Sequence, residues 1–200
     1  MNVYFIRHGF SLANATHYGI VPDDHTKLID CELTRTGILE SIKHGHQLRK
    51  QIHNIDGVFC STMMRAIQTA HHMFPKHTIN IIPHIKEIEN ESSDTLMNPN
   101  TKLKVLQTKY KTMNLNSNNL FSKERNSINF SKFKQILYNL FSKGYKNIAV
   151  VTHSLYMNTN LHMPFPNNNS VYHYYFSNGR LFQGPKLLNG YIPNKSTIKI

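Results

Sequence analysis

Val3-Tyr4-Phe5-Ile6-Arg7-His8-Gly9-Phe10-Ser11-Leu12-Ala13-Asn14 opens with four apolar residues and breaks at once into a cation, an imidazole and a glycine. A short, uniformly apolar run of this kind reads as a strand buried on both faces, which is how parallel strands read. In open α/β sheets the reactive groups collect just past the carboxyl ends of such strands. Arg7 and His8 stand at that place.

The same grammar recurs along the chain. Gly57-Val58-Phe59-Cys60 reads as a second strand, Ile79 to Ile82 as a short third ended by Pro83, and Ile148-Ala149-Val150-Val151 as the most apolar of all. Helical patterns lie between them. One follows Leu33-Thr34, with Thr34 as N-cap and Ile38, Ile42 and Ile52 among its buried positions, and Arg49 facing solvent. A second carries the apolar face Met63, Ala66, Ile67, Ala70 and Phe74, with Ser61 placed to cap it. A third places Phe133, Ile136, Leu137, Leu140 and Phe141 on one side, with Gly144 just past its end. Val171 to Phe176 and Arg180 to Gln183 flank Ser177-Asn178-Gly179, a hairpin signal. Strand–helix alternation closed by a hairpin predicts an α/β fold: a three-layer sandwich with a mainly parallel central sheet and an antiparallel edge strand. Residues 1–200 form one domain in this reading. From about 92 to 129, Asn, Ser, Thr and Lys replace apolar periodicity, which predicts an irregular or partly helical insertion.

Composition narrows the class. A chain of 200 residues with 40% hydrophobic content can build one core. No apolar run reaches the roughly 18 residues of a membrane span. The N-terminus lacks the basic segment and cleavage site of a signal peptide, so a cytoplasmic protein is expected. The two cysteines, Cys31 and Cys60, give neither a disulfide framework nor a metal pair. Lys and Arg number 23 against 11 acidic residues, a formal charge of +12, which favours anionic partners. No compact basic run stands out, so specific nucleic-acid binding is not the expectation. His44-Gly45-His46 and His71-His72 lack acidic or cysteine partners at ligand spacing and read as solvent-facing.

The chemistry-bearing residues fall at the strand ends. Arg7 and His8 follow the first strand, Ser61 and Arg65 the second, and Thr152-His153-Ser154 the late one, while Glu87 follows the third by a few residues. Two arginines suit a phosphate dianion, which they grip bidentately. Neutral imidazole can take and release a phosphoryl group. A carboxylic acid can protonate the departing alkoxide and then assist water. Helix N-termini behind Gly9 and Ser154 would add backbone N–H groups. The arginines and second histidine supply positive charge, so neither metal nor cofactor is expected.

Arg7-His8-Gly9-Phe10-Ser11-Leu12-Ala13-Asn14 resembles the RHGxSxxN signature of the histidine phosphatase superfamily, the phosphoglycerate mutase-like family. Leu33-Thr34 with Gly37 resembles its LTxxG helix start. Ser61 with Arg65-Ala66-Ile67-Gln68-Thr69-Ala70 resembles SxxxRAxQTA, and Ile85-Lys86-Glu87-Ile88 the segment that carries the acid. Val150-Val151-Thr152-His153 resembles the strand before the second histidine, and Asn169-Ser170-Val171 opens the late strand. The resemblance implies that His8 is the phosphorylated nucleophile and Glu87 the proton donor. It further implies a phosphate pocket of Arg7, Arg65 and His153, with Ser11, Asn14 and Ser154 as further contacts. Three departures stand out. Phe10 replaces a residue that is often polar, which places an apolar group at the pocket rim. Ser154 stands where glycine is common. The glycine after the acid is missing from Glu87-Ile88-Glu89-Asn90-Glu91, so Glu89 and Glu91 are alternative acids.

The resemblance implies a phosphomonoester hydrolase acting on a small phosphorylated substrate. A mutase is the same-family alternative, but the mutases it resembles carry an arginine-bearing insertion. Here residues 92–129 hold one arginine, Arg125. A phospho-ligand-binding module without catalysis is the alternative from another class.

Overall fold

The computed structural model describes residues 1–22, 28–52, 54–88 and 91–200. Its strands are β1 (Asn2–Arg7), β2 (Gly57–Cys60), β3 (Ile79–Ile81), β4 (Leu115–Asn116), β5 (Asn147–Thr152), β6 (Val171–Ser177) and β7 (Arg180–Leu188). They form one seven-stranded sheet in the order β4-β3-β2-β5-β1-β6-β7. The strands from β4 to β1 run parallel, while β6 and β7 add an antiparallel edge. The expected α/β class, mainly parallel sheet and antiparallel edge are all present.

Period-two alternation divides each central strand between two cores. Tyr4 and Ile6 of β1, Val58 and Cys60 of β2, and Ala149 and Val151 of β5 face Leu48, Ala66, Ile67 and Ala70. Those partners belong to α2 (Arg35–Gln51) and α3 (Met64–Met73). Val3, Phe5, Phe59, Ile148 and Val150 face the other way, onto Phe133, Leu137, Tyr156 and Met157. These come from α5 (Phe130–Ser142) and α6 (Ser154–Leu161). Burying both faces is what makes these strands uniformly apolar in sequence. The short α1 (Leu12–His17) follows β1, and α4 (Pro99–Lys109) lies in the insertion.

Thr34 caps α2 as expected, its hydroxyl accepting from the Gly37 amide at 3.0 Å. The buried face of α2 is not the isoleucine face. Ile42 is 46% exposed and Ile38 half-buried, while Thr36, Gly37, Ser41, His44, Gly45 and Leu48 turn inward with Ile52. The reason is proximity: a Cβ on Gly37 would collide with the Phe10 carbonyl, so small residues mark the packed side. Arg49 does not face solvent freely but donates from Nη1 to the Met73 carbonyl across the α2–α3 contact. His44 is buried, with Nδ1 2.8 Å from the Glu40 carbonyl. His71 and His72 are half-buried against Tyr110 rather than solvent-facing.

Residues 92–129 are more ordered than their composition suggests. Asn98 caps α4, β4 extends the parallel edge of the sheet, and Leu106 and Leu120 are buried in the core. The periodicity is broken by Lys102, which is only 1% exposed and forms a buried ion pair with Asp30. A lysine in an inward position hides the face that an apolar residue would have announced.

The sheet register sets up the site. β1 and β5 pair Arg7 with Thr152, and β2 and β5 pair Cys60 with Val151. His8, His153 and Ser61, the next residues on each strand, therefore emerge together at one edge. Among the described residues, no helix is long and apolar enough to cross a membrane.

Candidate functional site

A cleft of about 390 Å³ opens at the carboxyl ends of the central strands. Seven of the eight residues expected there line it: Arg7, His8, Ser11, Asn14, Arg65, Glu87 and Ser154. His153 does not. It lies behind the surface, fully buried, with its ring centroid 5.1 Å from that of His8.

His8 is the first residue past β1 and is buried beside two arginines. Its Nδ1 lies 2.8 Å from the Gly9 carbonyl, which can only accept, so Nδ1 carries the proton and Nε2 keeps its lone pair. Burial, then the charges of Arg65 and Arg7, hold its pKa well below the ordinary histidine value. His153 is pushed down likewise, by burial, Arg65, His8, Arg7 and Lys86 in that order. Its Nε2 shares a 2.8 Å hydrogen bond with the Ser61 hydroxyl. Its Nδ1 has no partner among the described residues. The Ser61 hydroxyl thus orients the second histidine and also accepts the Met63 amide at 3.3 Å, just ahead of α3. The Met64 amide, the first of α3, donates to the Asp30 carboxylate at 2.7 Å.

Arg7 donates from Nη1 to the Pro166 carbonyl at 2.6 Å, while its buried Nε has no partner among the described residues. Burial lowers its pKa to about 10, which leaves it charged at neutral pH. Arg65, on the first turn of α3, donates to the Ser93 carbonyl and to Asp94 Oδ1, both at 2.8 Å. Ser93 and Asp94 also line the cleft, and sequence reasoning passed over both. The available signal was that Asp94 and Glu124 are the only acidic residues between 92 and 129.

Glu87 sits against the start of α6. Its carboxyl accepts from the Tyr156 amide at 2.9 Å, the Ile88 amide at 3.0 Å and the Leu155 amide at 3.3 Å. Those bonds and Arg65 favour the charged form. Burial outweighs them, and the pKa is raised above the usual glutamate value, with Asp94 adding to the rise. Two of the α6 N-terminal amides are thus spent on Glu87 rather than aimed at an anion. Near α1, the Gly9 amide goes to Thr69 Oγ1 at 2.8 Å and the Leu12 amide to the Glu32 carbonyl at 3.0 Å. These four amides are committed inside the protein.

Asn14 and Ser11 form a reciprocal cap on α1, the Ser11 hydroxyl accepting from the Asn14 amide at 3.3 Å. Asn14 Oδ1 also accepts from Asn168 Nδ2 at 3.0 Å, and Asn168 bonds the His8 carbonyl at 2.9 Å. Asn168, also unanticipated, ties the loop before β6 to the strand end that carries His8. Phe10 is not at the rim. It is wholly buried against Tyr18 and Tyr191, and the apolar wall of the cleft comes from Ile88, Leu155 and Phe165. Glu91 is exposed at the cleft, whereas Glu89 lies outside the described residues. Among the described residues, no group of three or more His, Cys, Asp or Glu side chains is arranged to hold a metal ion.

A parallel-sheet cleft joining a neutral imidazole, a buried and a half-buried arginine and a buried carboxyl defines an α/β protein equipped for an anionic phosphoryl group. The chain belongs to the histidine phosphatase superfamily (branch 1), whose family model matches residues 3–166. No curated protein matches it. Its fold is shared by solved structures of low identity. The ecdysone phosphate phosphatase of Bombix mori, in complex with tungstate, is 14% identical with a TM-score of 0.64, covering 96% of each chain. A phosphoglycerate mutase of Bacillus anthracis is 17% identical with a TM-score of 0.62, covering 92% of this chain and 91% of that one. The phosphoserine phosphatase of Entamoeba histolytica, in complex with 3-phosphoglyceric acid, is 20% identical with a TM-score of 0.59, covering 92% and 95%.

Proposed function

We propose that the protein is a phosphomonoester hydrolase working through a phosphohistidine on His8. The observation that carries this reading is the opposed tuning of two buried groups that line one cleft beside Arg7 and Arg65: burial and the arginines push the His8 pKa down, and burial pushes the Glu87 pKa up. Arg7 and Arg65 grip the phosphate oxygens, and His8 Nε2 forms a bond to phosphorus as the ester oxygen departs. Glu87 gives that oxygen its proton, then accepts one from the water that attacks the phosphoenzyme and regenerates His8. With the Ser61 hydroxyl donating to His153 Nε2, the proton on His153 Nδ1 remains to hydrogen-bond the phosphoryl group. Ser11, Asn14 and Ser154 contribute further contacts. The substrate is a small phosphorylated molecule.

The fold likeness to a phosphoglycerate mutase keeps phosphoryl transfer between hydroxyls as the second reading. Against it, the insertion brings Asp94 and Ser93 to the cleft, and Arg125 is not among the lining residues. A carboxylate there disfavours a second anionic group on the substrate. A binding module without catalysis is disfavoured because nucleophile, acid and cations all meet in one cleft.

Release of inorganic phosphate from an aryl phosphate tests the reading, and it should survive exhaustive chelation because the cations are the protein's own. Activity lost to chelation and restored by a divalent metal would move the assignment to metal-assisted hydrolysis. A second expectation tests the acid. An activated aryl ester needs little protonation as it leaves, whereas an alkyl ester depends on it. Glu87→Gln should therefore slow alkyl phosphates about 10²-fold or more and activated aryl phosphates far less. If Glu91→Gln gives that leaving-group dependence instead, Glu91 is the acid.

A further inference from the structure

The variable insertion does more than wall the cleft. Arg65, at 3% exposure, lies with one edge against Ser93 and Asp94, themselves 4% and 5% exposed. Two N–H donors of its guanidinium are spent there, on the Ser93 carbonyl and on Asp94 Oδ1. Asp94 is fixed in turn by a tight turn, Ser92–Asp94, in which its other oxygen accepts from the Glu91 amide at 3.2 Å. A few residues on, the Met97 amide donates to Asp30 Oδ2 at 3.1 Å, and Lys102 pairs with the same carboxylate. Lys102 Nζ also donates to the Thr62 carbonyl at 2.6 Å. The remaining oxygen of Asp30 takes the amide of Met64, the residue before Arg65. The circuit closes: the insertion is pinned to the start of α3 and returns to grip the arginine that α3 presents.

We propose that Asp94 is a positioning residue for the phosphate clamp, its carboxylate and the Ser93 carbonyl holding one edge of Arg65 so that the other N–H donors stay turned to the cleft beside His8. This role rests on the hydrolase reading of the site. An arginine side chain is long and has many rotamers; fixing one edge removes that freedom before substrate arrives. A neutral acceptor would do as much for geometry. The charge of Asp94 adds a second effect, because Arg65 faces both titrating groups. Around Glu87 stand Arg7 from β1, Arg65 from α3, Asp94 from the turn and the amides of α6, with Glu91 exposed at the cleft. Around His8 stand Arg7, Arg65 and His153. Removing the negative charge of Asp94 leaves the field of Arg65 less compensated, which favours ionised Glu87 and neutral His8. Both limbs of the pH profile then move to lower pH.

Two variants and two readouts test this. Inorganic phosphate binding, measured by calorimetry on the full chain, should weaken about tenfold in Asp94→Ala, the effect of losing a charge-assisted hydrogen bond that orients the clamp. Asp94→Asn keeps an oxygen for Arg65, so phosphate binding should stay within about threefold of the parent. Its rate–pH profile on an aryl phosphate should still shift to lower pH on both limbs. A merely structural Asp94 would move neither profile nor binding in a variant that melts cooperatively. Tighter phosphate binding in Asp94→Ala would overturn the proposal by making Asp94 a competitor for Arg65. A superimposable pH profile in Asp94→Asn would overturn the charge effect even if the alanine variant fails to fold. Should the parent release no phosphate from any monoester while Asp94→Ala still loses phosphate affinity, the hydrolase reading fails and the positioning role stands.

Discussion

His8→Ala should abolish turnover of an aryl phosphate, by on the order of a thousandfold or more, because in the proposed mechanism it removes the atom that bonds to phosphorus. Brief exposure of the parent to labelled substrate should leave acid-labile, alkali-stable phosphate on the chain, and the variant should take up none. The structure favours one nitrogen for that bond. Nδ1 is committed to the Gly9 carbonyl at 2.8 Å, so Nε2 is the atom with a free electron pair. It also supplies the pH window. Burial, Arg65 and Arg7 keep His8 neutral well below the usual histidine range, and burial keeps Glu87 protonated above the usual glutamate range. The rate should fall on the acid side as His8 gains a proton and on the alkaline side as Glu87 loses one. Turnover retained in His8→Ala would refute the nucleophile assignment, and label persisting in that variant would point to another phosphorylated side chain.

The layout of the fold could be read from the chain because its central strands are buried on both faces. That burial demands unbroken apolar runs such as Val3–Ile6 and Ile148–Val151, and each run ends where polarity returns. The candidate site residues were legible for the same reason: Arg7 and His8 follow one such run, and His153 follows another after Thr152. Helix faces were less legible. Ile42 looked inward by periodicity but is exposed, since close approach of α2 to the Phe10 backbone selects glycine and serine for the packed side. The insertion was illegible where buried groups are polar. Lys102 and Asp30 pair in the interior 72 residues apart, and Arg65 meets Asp94 across 29, distances over which no local pattern speaks. The commitment of the α6 amides to Glu87 was hidden likewise, because a carboxylate from a distant segment took the place expected for an anion.

Arg65→Ala should cost about 10²-fold or more in kcat/KM, the loss expected when a preorganised cation is removed from developing phosphoryl charge. Lys50→Ala removes an equal charge from an exposed position on α2 and should leave the rate unchanged. Equal losses would mean that net charge, and not the clamp, attracts substrate. Stability must be separated from chemistry here, because Arg65 is also the partner of buried Asp94. Truncating one member of a buried ion pair strands the other, at a cost of about 3–5 kcal/mol in folding free energy. Asp94→Ala on top of Arg65→Ala removes the stranded carboxylate, so the double variant should melt higher than the single arginine variant. Its activity should stay low, because the cation that meets the phosphate is still missing. Recovery of both melting temperature and rate in the double variant would assign Arg65 to the scaffold alone and leave Arg7 and His153 to hold the phosphoryl group.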